Sequence, residues 1–196
     1  IVQDCEILLF HFAGAMKNSG VTIVIVPSLA LMHNHIKYLR SKNIEVTCIN
    51  KLTAYANRDV IIAKLKTDCS TTRFLFLTPE MAAWDGIKKF ILQLINENRV
   101  NYFVVDEAHK VIDAVDYRGN FLILKEFRTA RQDLIWIALT TASKTAQQEI
   151  AESLSMNNSD VCFIRSSSVV RNIFYDVETF QNINLVIDYI QNKLNS

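Results

Sequence analysis

Half of the 196 residues are hydrophobic, and glycine and proline are scarce, so the chain can bury a core and is too ordered in composition for a linker or tail. Its 21 basic and 20 acidic side chains leave a net charge of +1, which points to no nucleic-acid, membrane or acidic partner. The four cysteines form no C-x-x-C pair, which argues against a zinc framework, and no apolar run approaches the roughly 20 residues that span a bilayer.

Apolar runs rich in β-branched and aromatic residues recur along the chain, and segments with helical periodicity separate them. Because the runs are nearly continuous in hydrophobicity and do not alternate, they predict parallel strands covered on both faces by helices. The alternation of strand and helix predicts a three-layer α/β domain with a mainly parallel sheet and right-handed crossovers. The predicted strands are residues 21–26, 44–49, 73–78, 101–106, 134–140 and 161–165.

Helix signals stand between these strands. Ser28 is a candidate N-cap for the helix that follows the first strand, and residues 87–99 place Phe90 and Leu94 on an apolar face. Residues 173–178 predict a last strand and residues 182–194 an amphipathic helix. We therefore divide the chain into one lobe, residues 1–178, and a C-terminal helix, residues 179–196, that would begin a second lobe.

Polar residues follow four of the predicted strands, where parallel sheets gather their ligands. Asp106 and Glu107 follow the run "NYFVV", and a histidine comes two residues later. Adjacent carboxylates at such a point indicate metal-assisted phosphate chemistry, although in isolation they are more often a simple helix cap. His33 and His35 would point about 200° apart on a helix, so we expect solvent-facing or partly buried side chains that share no metal.

Five segments resemble, in order, the motifs of the first RecA-like lobe of superfamily-two helicases, and among them the RecQ family of DNA helicases. "VIVPSLALMHNHIKYL" resembles motif Ia, "FLFLTPEMA" the Thr-Pro-Glu motif, "FVVDEAHKVI" the DEAH box, and "WIALTTASKTAQQEI" the Ala-Leu-Thr-Ala-Thr-Ala motif. "RNIFYDV" resembles the segment that leaves this lobe. The resemblance covers residues 20–177 and implies a P-loop NTPase-type fold and ATP-dependent 3′–5′ unwinding of DNA.

The resemblance also implies cofactors, partners and roles. Asp106 would hold Mg²⁺, Glu107 would orient the attacking water, His109 would sense the γ-phosphate of ATP, and Thr140 would bridge toward the carboxylates. The partner would be single-stranded or forked DNA, inside the cell and in the nucleus of a eukaryote, with no membrane. The residues of the implied DNA path, which turn chemistry and helix capping explain equally well, are Pro27, Ser28, Thr78, Glu80, Tyr117 and Arg118.

The sequence departs from this family at the loop that binds the nucleotide phosphates. Hydrolysis needs a loop of the form G-x-x-x-x-G-K-[S/T], and none of the four glycines is followed by Lys and Ser or Thr. Aligned backward from "GVTIVIVP", the loop would fall on the first eight residues, where Asp4 and Glu6 would repel phosphates. Alternatively it precedes Ile1, in a longer parent protein, and the intervening helix is longer than usual.

Two further departures concern the coupling of DNA to hydrolysis. Ala114 and Val115 stand where RecQ proteins carry a tryptophan that stacks on DNA, and Thr141 and Ser143 replace alanines. We therefore interpret the chain as a catalytically degenerate RecQ-like lobe, a pseudoenzyme acting as a scaffold for a protein partner or as a weak DNA-binding module. The alternative is an excised piece of an active helicase.

Overall fold

The computed structural model describes residues 2–17, 19–67, 71–113, 118–156, 161–164, 179 and 183–194. The described strands form one sheet in which every neighbouring pair is parallel, in the order β2-β3-β1-β4-β5. This confirms the predicted sheet. The strands are β1 Val21–Ile25, β2 Val46–Ile49, β3 Phe74–Leu77, β4 Val100–Val105 and β5 Ile135–Ala138.

Helices connect the strands as parallel crossovers require. The chain divides into two compact units, Gln3–Phe163, which holds the sheet, and Ile164–Ser196, which holds the last helix. None of the helices described is long and apolar enough to cross a membrane. The helices are α1 Val2–Ala15, α2 Leu29–Ser41, α3 Tyr55–Lys66, α4 Pro79–Ala83, α5 Asp85–Asn96, α6 Lys110–Asp113, α7 Arg118–Ala130, α8 Lys144–Ser153 and α9 Ile183–Leu194.

The sheet has an apolar cluster on each face, which explains the continuous hydrophobicity of its strands. Successive residues of β1 alternate between the clusters, with Ile23 and Ile25 in one and Val24 in the other. Helices α5, α7 and α8 contribute to the first cluster, and α1 and α2 to the second. The predicted three-layer α/β architecture is therefore confirmed.

The sequence placed most elements correctly and one of them wrongly. Ser28 caps α2 as predicted, its Oγ accepting a hydrogen bond of 3.4 Å from the amide of Leu31. The strand predicted at 161–165 is absent over residues 161–164, where Phe163 and Ile164 are exposed. No described strand pairs with that apolar run, so its composition alone does not make it a strand. Arg165 and the strand predicted at 173–178 lie outside the described residues, whereas α9 confirms the predicted C-terminal helix.

The strand β5 differs from the three central strands. It pairs with β4 alone among the described residues, and Ile135 is 57 % exposed at its start. By contrast, every residue of β1 and β3 is buried. Among the described residues, the outer edge of β5 therefore has no strand partner and begins with an exposed apolar side chain.

Candidate nucleotide and nucleic-acid site

The carboxylate of Asp106 lies directly beyond the carboxyl end of β4 and is 7 % exposed. The amide of Asp106 donates to the carbonyl of Ile25, which extends the parallel pairing of β4 with β1 into the loop. Its Oδ1 accepts a hydrogen bond of 2.9 Å from the amide of Glu107, and its Oδ2 lies 3.0 Å from Nε2 of His35. Both carboxylate oxygens are therefore engaged within the protein.

A buried pair of histidine rings continues from this carboxylate into the core. His35 of α2 and His11 of α1 are 4 % and 3 % exposed, and His35 Nδ1 lies 3.2 Å from His11 Nε2. When both rings carry their proton on Nε2, His11 donates to His35, and His35 donates to Asp106. His11 Nδ1 is then an acceptor that is buried without a hydrogen-bond partner among the described residues. Leaving an acceptor unsatisfied there costs less stability than leaving a buried N–H donor unsatisfied.

The environment of His11 opposes its protonation. Burial, the largest cause, and the neighbouring His35 together lower the pKa of His11 from its ordinary 6.5 to about 3, while Asp106 acts in the opposite direction. The edges of Phe10 and Phe74 and the stacked ring of Tyr38 surround the imidazole. His11 is therefore a neutral ring at physiological pH.

His109 contacts the two other residues to which the resemblance assigns chemistry. His109 Nδ1 is 3.4 Å from Glu107 Oε2 and 3.5 Å from Thr140 Oγ1. The amide of Ala108 donates to the carbonyl of Leu139, which joins the loop after β4 to the loop after β5. Glu107 has a φ of 50°, a left-handed backbone conformation that side chains other than glycine seldom adopt.

The residues of the predicted DNA path follow neighbouring strands. Pro27 and Ser28 come after β1, and Thr78 and Glu80 come after β3, so the sheet order places them side by side. Glu80 is exposed, whereas Thr78 is 7 % exposed. Tyr117 lies outside the described residues, and Arg118 begins α7. Their contact with DNA stays a prediction.

Comparison with known proteins identifies the family. The profile of the DEAD/DEAH box helicase family matches residues 6–152 of the chain. The chain belongs to this family. ATP-dependent DNA helicase Q5 of Mus musculus is 31 % identical over 84 % of the chain and 17 % of its own length. ATP-dependent helicase SGS1 of Saccharomyces cerevisiae is 30 % identical over 82 % of the chain and 11 % of its own length.

The chain is a RecQ-like domain of the DEAD/DEAH box helicases. ATP-dependent DNA helicase RecQ of Haemophilus influenzae is 27 % identical over 74 % of the chain. The chain spans less than a quarter of the length of each of these three relatives, and the largest share is 23 %. Among solved structures, the helicase domain of Pyrococcus furiosus Hef matches 76 % of this chain and 30 % of that chain, with 17 % identity and a TM-score of 0.48.

Asp106, the residue to which the resemblance assigns magnesium, has protein partners on both of its carboxylate oxygens. Mg²⁺ is bound in nucleotide sites by one or two carboxylates together with phosphate oxygens and water. Here the oxygens of Asp106 face a ring nitrogen and an amide, and the described residues contain no group of three or more His, Cys, Asp or Glu side chains able to hold a metal ion. If the phosphate loop fell on the first eight residues, it would coincide with helix α1, which contains residues 2–8.

The buried histidines are the residues of this site that the sequence analysis placed wrongly or missed. His35 was expected to be solvent-facing or partly buried, yet it is buried and bonded to Asp106. It shares the helical spacing of Met32, Ile36 and Leu39, the other buried residues of α2, so its place on the apolar face was readable. His11 lies on α1, where no sequence signal singled it out.

Proposed function

We propose that the chain is the first lobe of a RecQ-type helicase whose nucleotide chemistry is degenerate, serving as a scaffold for a protein partner or as a weak single-stranded DNA-binding module. The pairing of Asp106 with His35 carries this proposal. In a working site that carboxylate has to share Mg²⁺ with the phosphates of ATP. A buried histidine that donates to the carboxylate competes directly with the metal.

The missing phosphate cradle supports the same proposal. The sequence has no G-x-x-x-x-G-K-[S/T], so no lysine and no converging amides of that motif neutralise the terminal phosphates. A carboxylate without phosphate ligands to share binds Mg²⁺ poorly. His109 then contacts Glu107 and Thr140 without a nucleotide to act on.

Weak binding of single-stranded DNA is the activity that the remaining surface supports. Ser28 and Glu80 follow adjacent strands at the carboxyl edge of the sheet, and Ser28 precedes the N-terminus of α2, which can meet a phosphate. The net charge of +1 predicts modest affinity that falls as salt rises. The proposal includes a nuclear location in a eukaryote.

One observation favours the alternative, an excised piece of an active helicase. The apolar strand β5 leaves one edge without a partner among the described residues, and Ile135 is 57 % exposed there. An exposed apolar edge invites another strand. A strand contributed by a longer parent protein, leading into a phosphate loop, would cover it and would require the Asp106–His35 bond to open.

ATP turnover by the purified chain tests the proposed loss of nucleotide chemistry. The purified chain is assayed with Mg-ATP and single-stranded DNA, with Glu107→Gln as the matched control because the change removes only the proposed water-orienting carboxylate. The degenerate lobe predicts the same background rate for both proteins. A wild-type rate that exceeds the control by about tenfold or more would contradict it, since aligning the attacking water contributes at least that much to catalysis.

A further inference from the structure

An exposed aromatic pair stands next to the predicted DNA path on a part of the sheet edge that the helicase motifs leave without a role. Tyr55, the first residue of α3, is 68 % exposed, and Trp84, which follows α4, is 41 % exposed. Their ring centroids are 5.6 Å apart with an angle of 64° between the planes. Exposed rings that lie together, unlike rings that are exposed singly, mark interaction sites.

The guanidinium of Arg58 lies against both rings. Its Cζ is 4.6 Å from the centroid of Tyr55 and 5.1 Å from that of Trp84, and Nε donates to the carbonyl of Thr53 at 2.8 Å. Arg58 is 8 % exposed, and no carboxylate of the described residues pairs with it. A nearly buried cation without a counter-ion is complementary to an anion. We call Tyr55, Arg58 and Trp84 the aromatic platform.

The loop that leads into the aromatic platform is held in place before any ligand arrives. Asn50, which follows β2, donates its amide to Thr53 Oγ1 at 3.0 Å and accepts the amide of Leu52 on its Oδ1 at 2.8 Å. The carbonyl of Asn50 also accepts the amide of Thr53 at 3.0 Å. A preformed site loses less conformational entropy on binding than a site that has to fold.

The sheet order aligns the aromatic platform with the other predicted contacts. The strands run β2, β3, β1, β4, so the loops after them present Tyr55, Thr78, Ser28 and Asp106 in that spatial order. The platform therefore extends the predicted DNA path by one strand, on the side away from Asp106. Its surroundings carry both signs of charge. Lys51 and Asp59 are exposed near it in the sequence, Glu80 is exposed after β3, and Asp85 is paired with Lys89.

We propose that the aromatic platform binds single-stranded DNA, with a base stacked on the exposed face of Tyr55, Trp84 at its edge, and a phosphate of the same strand on Arg58. The inference rests on the proposed function, because it names where the weak DNA-binding module holds its ligand. Stacking on aromatic rings is tolerant of sequence, and a guanidinium supplies the phosphate contact. The flat face of Tyr55 and the unpaired Arg58 fit this ligand together, whereas an apolar peptide would leave the cation uncompensated.

Fluorescence anisotropy with two labelled strands of about 20 nucleotides tests the platform, one of thymidine and one of the same length with abasic sites. Tyr55→Leu should weaken thymidine binding about fivefold or more, which is about 1 kcal/mol, and leave abasic binding unchanged. Tyr55→Phe should bind like the wild type because the ring remains. Phe12→Leu on α1, where Phe12 is 69 % exposed, is the control for loss of an exposed ring.

A second variant separates the phosphate contact from stacking. Arg58→Gln should weaken both strands alike; because Arg58 is nearly buried, its thermal midpoint has to be checked, and if it misfolds the Tyr55 variants still decide. Equal thymidine affinity of wild type and Tyr55→Leu, an equal loss in Phe12→Leu, or tighter binding of a uridine RNA strand than of thymidine would overturn the platform while leaving the weak DNA module intact. No binding of any strand by the wild type would overturn both.

Discussion

Lowering the pH from about 7 to about 5 should destabilise the protein through His11. The pKa of this ring is about 3 in the folded chain and about 6.5 when unfolded, so between those values the unfolded chain binds the proton and the folded chain does not. Stability therefore rises with pH across the window, and the contribution of His11 is lost as pH falls below 6.5. Linkage gives a loss of about 2 kcal/mol between pH 7 and pH 5.

Urea unfolding followed by circular dichroism at several pH values measures this loss. The matched control is His11→Gln, in which the side-chain amide can still donate to His35 but cannot be protonated. Other groups titrate in both proteins, so the difference between the two pH dependences isolates His11. The free energies of unfolding should converge as pH falls toward 5. Parallel curves for the two proteins would refute the assignment of a buried neutral ring.

Two further substitutions probe the packing of the site and of the sheet. Asp106→Ala should lower the free energy of unfolding by about 2–4 kcal/mol, because it leaves a buried ring N–H and a backbone N–H without their acceptor. Asp106→Asn should lower it less. Equal thermal midpoints for the wild type and Asp106→Ala would show that the carboxylate does not stabilise the fold. Gly14→Ala should destabilise the protein by about 1–3 kcal/mol, because the added Cβ would lie 2.5 Å from the ring of Phe74. Gly86→Ala, whose added Cβ would have no atom nearer than 3.7 Å, should be neutral or slightly stabilising. Chemical denaturation that ranks the two variants the other way would contradict the close packing of α1 on the sheet.

The sequence was sufficient to predict the fold, because the continuous hydrophobicity of its strands indicates burial on both faces. The apolar run of residues 102–105 in β4 and the cap at Ser28 can be predicted from local chemistry alone. The run at 161–164 was misread for the complementary reason, because whether Ile164 is covered depends on distant elements that composition does not contain.

The candidate site was predictable only in its local part. The DEAH residues Glu107 and His109 are close in the chain, so their contact follows from the turn that holds them. The bonds of Asp106 to His35 and of His35 to His11 join residues 71 and 24 positions apart, and they require the crossover geometry of three layers. A single sequence carries no signal for such pairs beyond the apolar spacing of α2.

Isothermal titration of the purified chain with Mg-ATP measures whether a nucleotide site is retained. We expect no measurable heat up to millimolar nucleotide, because Asp106 is occupied by His35 and no phosphate loop is present in the sequence. Saturable binding with a Kd in the micromolar range, about −8 kcal/mol, would contradict it and would mean that the family's nucleotide site survives in this chain.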